Sequence, residues 1–445
     1  MPGTPKPETI STKQDRIAKL AQQMPDTALR TLAHHIDIEW LKEAHRRTRK
    51  DAAPGVDGVS AKDYEQDLEG NLGRLLDAAK SGLYRAPPVR RVLIPKGGGK
   101  TRPLGIPTHE DKVLQRAVAM VLEPIYEQEF FDFSYGFRPG RSAHQALEAL
   151  WQGLMNRRIG WVLDVDVQSF FDTLDHQVCR DLLRGRVSDG VIVRLVGKWL
   201  NAGVLDGSVV RRAEVGTPQG GVISPLLANI YLHEVLDKWW AQEVLPRMRG
   251  EAFLIRYADD FVVCFEREDD ARRVQEVLPK RFAQYGLSLH PDKTRLLPFR
   301  RPRGDAGPPS GPEHPRSFDF LGFTHKWARA RTGRWVVQRS TMKARFARAV
   351  KAITEWCRQH IHAPLAVQAE QLAAKLRGHD QYYGITGNYR ALNSLRYRVK
   401  LAWWKCLRRR SQRGLTAAHF YEAILVRYPL PPVRVVHTAL RSANL

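Results

Sequence analysis

The chain has 445 residues, enough for two or three domains, and its 43% hydrophobic content is that of a globular protein. Its 71 Lys and Arg against 47 Asp and Glu give a net charge of +24, an excess that points to a polyanionic partner. No run approaches the roughly 20 apolar residues of a membrane span, and four scattered cysteines (Cys179, Cys264, Cys357, Cys406) exclude a zinc-type spacing or a disulfide framework and fit a reducing cytoplasm.

In chain order, Met1 to about Lys13 is rich in Pro and Thr and lacks the apolar core of a signal peptide, so disorder is expected there. Ile17 to Arg47 has helical spacing, with Leu20, Leu29, Leu32, Ile36 and Leu41 as core positions. Val89 to Pro95 has the pattern of a strand. Gly97-Gly98-Gly99 is a turn that returns Lys100 to Ile106 as its hairpin partner. Val113 to Phe130 and Ala143 to Arg157 are amphipathic helices. Trp161 to Val167 alternates apolar and acidic residues, which predicts a strand followed by a turn into a helix at Gln168 to Asp172. Phe253 to Ile255 and Phe261 to Phe265 predict a tight hairpin with Asp259 and Asp260 at its tip. Arg301 to Arg316, rich in Pro and Gly, is a loop, and helices follow from Ser340. The charge is concentrated late: 21 Lys and Arg against 3 Asp and Glu lie between Lys326 and Arg413, about three quarters of the excess.

Asp259-Asp260 is the informative pair. Adjacent carboxylates repel unless cations neutralise them, and a rigid hairpin that presents them is suited to a divalent metal. A solvated hairpin tip is the plainer alternative. Asp166, near the end of its strand, supplies a third carboxylate. Such a set can hold two Mg²⁺ ions for phosphoryl transfer, because Mg²⁺ prefers carboxylate oxygens.

From about Arg49 to Gly387 the chain resembles the reverse transcriptases encoded by bacterial group II introns. The blocks that carry the resemblance are Ala53-Pro54-Gly55-Val56-Asp57-Gly58, Arg102-Pro103-Leu104-Gly105-Ile106-Pro107 and Tyr135-Gly136-Phe137-Arg138-Pro139-Gly140-Arg141-Ser142. They continue with the Asp166 segment, Thr217-Pro218-Gln219-Gly220-Gly221, Ser224 to Leu232, Tyr257-Ala258-Asp259-Asp260, Gly286 to Leu289 with Lys293, and Phe318 to Phe323. Their order is the family's order.

The resemblance implies an α+β right-hand polymerase: fingers, a palm with an antiparallel sheet, and a helical thumb or maturase domain. The expected division is an N-terminal helical extension over 1–88, fingers and palm over 89–335, thumb or maturase domain over 336–387, and a basic nucleic-acid-binding segment over 388–445. It implies catalysis by Asp166, Asp259 and Asp260, with two Mg²⁺ ions at Asp166, Val167, Asp259 and Asp260. Lys96 and Arg102 grip the triphosphate of the incoming deoxynucleotide. Phe171 closes the space beside the sugar's 2′ carbon, leaving Phe170 for the core; Gln219 contacts the nucleotide, and Lys293 lies near the site. Nucleic acid is expected at Arg138, Arg377, Tyr382, Trp403, Arg408 and Arg409. The implied partners are an RNA template with its primer, intron RNA and target DNA. The C-terminal region lacks the cysteine pairs of the family's endonuclease domain, so no DNA cleavage is expected. Two other readings share these residues: a polymerase of the same lineage adapted to CRISPR spacer acquisition, phage defence or DNA repair, and a non-catalytic RNA-binding splicing factor.

Overall fold

A computed structural model describes residues 9–97, 100–206, 209–211, 220–302, 317–410 and 414–438. The chain divides into two compact units that interleave in sequence. The first contains Met1–Ala146, Val165–Val263 and Arg267–Leu296; the second contains Leu147–Asp164, Cys264–Glu266 and Leu297–Leu445.

The first unit is built on one helix. Helices α1 (Ile10–Gln23), α2 (Ile38–Arg47), α3 (Ala61–Tyr64) and α4 (Leu68–Ser81) precede the hairpin strands β1 (Val89–Gly97) and β2 (Lys100–Ile106), and α5 (His109–Tyr126) follows. Helix α5 is apolar on nearly every face, from Val113 through Ile125, as a helix surrounded by protein must be. Trp40 of α2 donates from Nε1 to the Ala117 carbonyl at 2.9 Å, and Gln14 of α1 donates to the Met120 carbonyl at 3.0 Å. The N-terminal helices are thus part of this core and not a separate extension over 1–88. The single helical stretch expected over Ile17 to Arg47 is two helices. Asp37 accepts from the Trp40 amide and starts α2, while Leu29 bridges to Val187. Helix α1 also begins earlier than expected, at Ile10, because the Thr9 hydroxyl accepts from the Thr12 amide.

Strands β1 and β2 pair antiparallel, with Arg102 opposite Ile94 and a register shift between Pro95 and Gly97. The chain continues through α6 (Ala143–Asn156), β3 (Trp161–Asp166), α7 (Phe170–Thr173), α8 (His176–Arg186), α9 (Gly190–Leu200), the short strands β4 (Val204–Asp206) and β5 (Val209–Arg211), and α10 (Ser224–Leu232). It then forms β6 (Ala252–Tyr257), β7 (Asp260–Phe265), α11 (Glu268–Ala283) and β8 (Arg295–Pro298). One sheet has the order β2-β1-β4-β5 and another the order β6-β7-β3-β8, so β7 lies between its hairpin partner and the Asp166 strand.

A polar network is buried in the first unit. Trp199 Nε1 donates to the Tyr84 hydroxyl at 3.2 Å, Tyr84 donates to Asp111, and Gln115 donates to the other Asp111 oxygen at 3.0 Å. The Gln115 side-chain oxygen Oε1 in turn accepts from the Ile223 amide at 3.3 Å. Gly220 and Gly221 lie beside it: a Cβ on Gly220 would meet the Gly105 carbonyl at 2.4 Å, so this turn requires glycine. Burial pushes the Asp111 carboxyl up to about 6, partly countered by the Tyr84 hydrogen bond.

The second unit holds β9 (Ser317–Phe320), β10 (Phe323–Arg329) and β11 (Trp335–Thr341) as a three-stranded sheet, then α12 (Lys343–Gln359), α13 (Leu365–Tyr383) and α14 (Tyr389–Leu407). Ile353, Leu372, Leu376, Leu395, Val399, Trp403 and Phe420 form one apolar cluster. The bundle therefore runs through the boundary expected at 387/388. At that point Asn388 accepts from the Thr341 amide at 2.9 Å and donates to Thr341 Oγ1 and the Tyr383 carbonyl, both at 2.8 Å.

The Asp111 carboxyl has a folded pKa above its ordinary 3.8. Its contribution to stability is therefore fully present below that ordinary value and is lost as pH rises through about 6. Asp111→Asn cannot ionise. From about pH 4 to about pH 7 the stability of the parent relative to this variant should fall by on the order of 3 kcal/mol. Urea unfolding of both proteins across that range measures it; a constant difference would mean that Asp111 ionises freely in the fold.

Candidate active site

The hairpin tip is held from below by an arginine inside an otherwise apolar strand. Arg256 is fully buried between Ile255 and Tyr257. Its guanidinium makes two bonds to Asp237, one at 2.8 Å from Nε, and from Nη1 it reaches Asn229 Oδ1 at 3.0 Å and the Ala258 carbonyl at 3.1 Å. Burial would raise the Asp237 carboxyl, but Arg256 against it more than offsets this and holds it below the ordinary carboxylate value.

Ala258 has φ 57°, a left-handed conformation that an alanine adopts only at a cost. The neighbouring contacts hold it there. Asn229 donates to the Gly136 carbonyl at 2.6 Å, and a Cβ on Gly136 would lie 2.3 Å from the Ala258 nitrogen. The segment before Gly136 runs beside β6, with the Tyr135 amide donating to the Arg256 carbonyl and the Arg256 amide to the Phe133 carbonyl, both at 2.9 Å.

Asp259 and Asp260 sit half-buried on this support, with Asp260 the first residue of β7. The Asp259 carboxyl is pushed up, first by burial and also by the nearby Asp166 charge, while Arg102 and Arg256 pull it down. The site therefore contains Asp166 close enough for its charge to act on Asp259, and a cation from the β1–β2 hairpin, Arg102, within electrostatic reach of Asp259. The three carboxylates are not drawn into one tight knot. Asp166 pairs with Lys293 instead, and with 39% of the Asp166 and 59% of the Lys293 side chain exposed this pair is weak and exchangeable. Among the described residues, the ligand atoms that do lie within 4.8 Å of one another are those of Glu129, His233 and Glu234, but Arg186 and Lys238 already engage the two carboxylates.

The segment that carries Lys293 is fixed to the Asp166 strand: the Gln168 amide donates to the Ser288 carbonyl and the His290 amide to the Asp166 carbonyl, both at 2.8 Å. Val167 and Leu289 face each other between those two bonds, so the Val167 carbonyl points away from Leu289. The Val167 side chain is buried, and only that carbonyl is left as a donor atom for a cation. Ser169, at φ 49°, turns the chain into α7. There Phe170 packs edge-on to Tyr231 in the core, while Phe171 is only half-buried.

Several expected contacts lie elsewhere. Arg138 is turned inward, 3% exposed, paired with Glu127 and donating to the Phe131 and Ser134 carbonyls at 2.7 Å each; it is not available to a nucleic acid. Trp403 is fully buried and donates to Gln368 at 2.7 Å, so it is a core residue. Tyr382 is half-buried and its hydroxyl donates to the Leu321 carbonyl at 2.8 Å. Arg377, Arg408 and Arg409 are exposed. Gln219 and the side chain of Lys96 lie outside the described residues, as does most of the loop expected over Arg301 to Arg316. Sequence reasoning missed Arg256, Asp237 and Asn229; the one available signal was a charged residue within the apolar run before the acidic pair.

Carboxylates on neighbouring strands, with Arg102 within electrostatic reach of Asp259, are an arrangement able to hold divalent cations beside phosphate groups. The family model for reverse transcriptase (RNA-dependent DNA polymerase) matches residues 94–325, just over half of the chain. Over 286 residues the chain is 40% identical to Protein YkfC of Escherichia coli (strain K12), a match that covers 57% of this chain and 75% of that protein. Over 232 residues it is 38% identical to the group II intron-encoded protein LtrA of Lactococcus lactis subsp. cremoris, covering 51% of this chain but only 38% of LtrA. Over 248 residues it is 27% identical to the mitochondrial Nuclear intron maturase 2 of Arabidopsis thaliana, covering 44% of this chain and 32% of that one. The chain belongs to the reverse transcriptase family, the RNA-directed DNA polymerases, whose members act on RNA and nucleotides with divalent metal ions. Among the described residues, no helix is long and apolar enough to cross a membrane.

Removing one member of a buried ion pair leaves the other charge uncompensated. Asp237→Ala should therefore cost about 3–5 kcal/mol. The double variant Asp237→Leu/Arg256→Met should be more stable than Asp237→Ala alone, since no charge is then left buried. Denaturant unfolding of the three proteins tests this, and a loss below about 1 kcal/mol for Asp237→Ala would assign the pair no structural weight.

Proposed function

We propose that this protein synthesises DNA on an RNA template with two Mg²⁺ ions, and that it also acts as a maturase on a group II intron RNA. The observation that carries the catalytic reading is the Asp259–Asp260 tip, fixed by the buried Arg256 of β6 and leading into β7, the strand next to that of Asp166. The donor set suits Mg²⁺: the Asp166, Asp259 and Asp260 carboxylates with the Val167 carbonyl, all oxygens, and an Asp259 carboxyl pushed up first by burial and then by the Asp166 charge beside it. Bound there, the metal would activate the primer 3′-hydroxyl and neutralise the leaving pyrophosphate.

The remaining roles fall to the chain's own side chains. Arg102 lies within the field of Asp259, which supports its assignment, with Lys96, to the triphosphate oxygens that its planar fork can grip. Phe171, beside the buried Phe170, is offered as the residue that leaves no room for a 2′-hydroxyl. Gln219 is assigned to the incoming nucleotide. Lys293 neutralises Asp166 until substrate and metal arrive, and is then free to meet the triphosphate.

The maturase reading rests on likeness to the group II intron-encoded and intron maturase proteins, and on the exposed Arg377, Arg408 and Arg409 of the basic C-terminal bundle as an RNA-binding face. Target DNA is a further substrate on this reading. A non-catalytic splicing factor would need no acidic tip of this kind.

Asp259→Asn keeps the shape and removes a charged ligand. It should reduce primer extension on an RNA template to background while RNA affinity and thermal unfolding stay near those of the parent. Extension at the parent's rate would remove Asp259 from the site. Phe171→Ala should raise ribonucleotide incorporation relative to deoxyribonucleotide incorporation on one template. An unchanged ratio would make Phe171 a packing residue only.

A further inference from the structure

Phe137 is a bulky residue in the left-handed region, at φ 56°, with 56% of its surface exposed. Aromatic residues rarely occupy that conformation, and an apolar ring exposed to water gains nothing from it. The chain on each side explains why it cannot relax. Before it, the Tyr135 amide is bonded to the Arg256 carbonyl, Asn229 holds the Gly136 carbonyl, and Gly136 is pressed against Ala258. After it, Arg138 is clamped by Glu127 and two carbonyls. Phe137 is the outward residue between two inward anchors. Its ring centroid lies 6.3 Å from that of Tyr257, the residue that opens the acidic tip.

We infer that Phe137 is a stacking contact for a terminal, unstacked nucleobase at the end of the primer–template duplex, set beside Tyr257 at the edge of the catalytic centre. This rests on the active-site reading above. Any primer end that reaches Asp259 passes the neighbouring Tyr257, and an aromatic face accepts any base regardless of sequence, as a polymerase requires. The anchors keep the ring in its bound position before the duplex arrives. Phe137 thereby takes the place that the same sequence block offered in Arg138.

The contact is apolar, and that gives it a signature distinct from a phosphate contact. Phe137→Ala should weaken primer–template affinity between about fivefold and about a hundredfold, the range of base–aromatic stacking, and leave the slope of log affinity against log salt unchanged. Phe137→Tyr should bind as the parent does. Phe137→Gly relieves the left-handed backbone, so it should melt at a higher temperature than Phe137→Ala while binding no more tightly. Fluorescence anisotropy at several salt concentrations, with thermal unfolding of each variant, measures all of this. Parent-like affinity in Phe137→Ala, or a shallower salt slope, overturns the inference, and so does a Phe137→Ala variant that outlasts Phe137→Gly on heating. Failure of the catalytic reading shows separately, as a parent protein that does not extend the primer.

Discussion

The candidate site depends on one buried cation. Arg256 has no solvent to neutralise it, and its hydrogen bonds account for the geometry of the hairpin tip: Asp237 balances the charge, Asn229 is oriented by it, and the Ala258 carbonyl is drawn back towards it. A buried guanidinium is costly to desolvate and is stable only when its donors are met. It therefore permits few arrangements of the backbone around it. That rigidity suits two adjacent carboxylates, whose mutual repulsion would otherwise open the turn.

The acidic tip, its two strands, the β1–β2 hairpin and the helices around them were legible in the sequence, because adjacent carboxylates, a triple glycine and apolar periodicity are local signals. The support beneath the tip was not. Asp237 and Asn229 lie 19 and 27 positions before Arg256, and nothing in their immediate sequence marks them as its partners. The same blindness to distant partners explains Arg138 and Trp403. An arginine in a loop and a tryptophan in a basic helix look like nucleic-acid contacts until Glu127 and Gln368 are found bonded to them.

The basic C-terminal stretch divides in the same way. Arg396 is nearly buried, paired with Asp380 and donating to the Pro431 and Pro432 carbonyls, and Arg410 donates to the Ile361 and Ala363 carbonyls. These arginines fasten the bundle to its own loops. Most of the others stay at the surface: Arg345, Lys351, Arg390, Arg398 and Lys405 are exposed along with Arg377, Arg408 and Arg409, and so are Tyr389 and Tyr397, so the stretch keeps a strongly basic face despite these inward arginines.

The order of the chain gives the tip an advantage during synthesis. Gly136, Asn229 and Asp237 all precede Arg256, so when the ribosome releases the β6–β7 hairpin, every group that fixes it has already emerged. The Asp166 strand pairs with β7 of that hairpin, but its end is fixed only later, because Ser288 and His290, which bond to Gln168 and Asp166, come after the hairpin. The nascent protein can thus set its most charge-crowded turn early and fix the end of the second carboxylate strand afterwards, which shortens the time that the acidic pair spends unsupported.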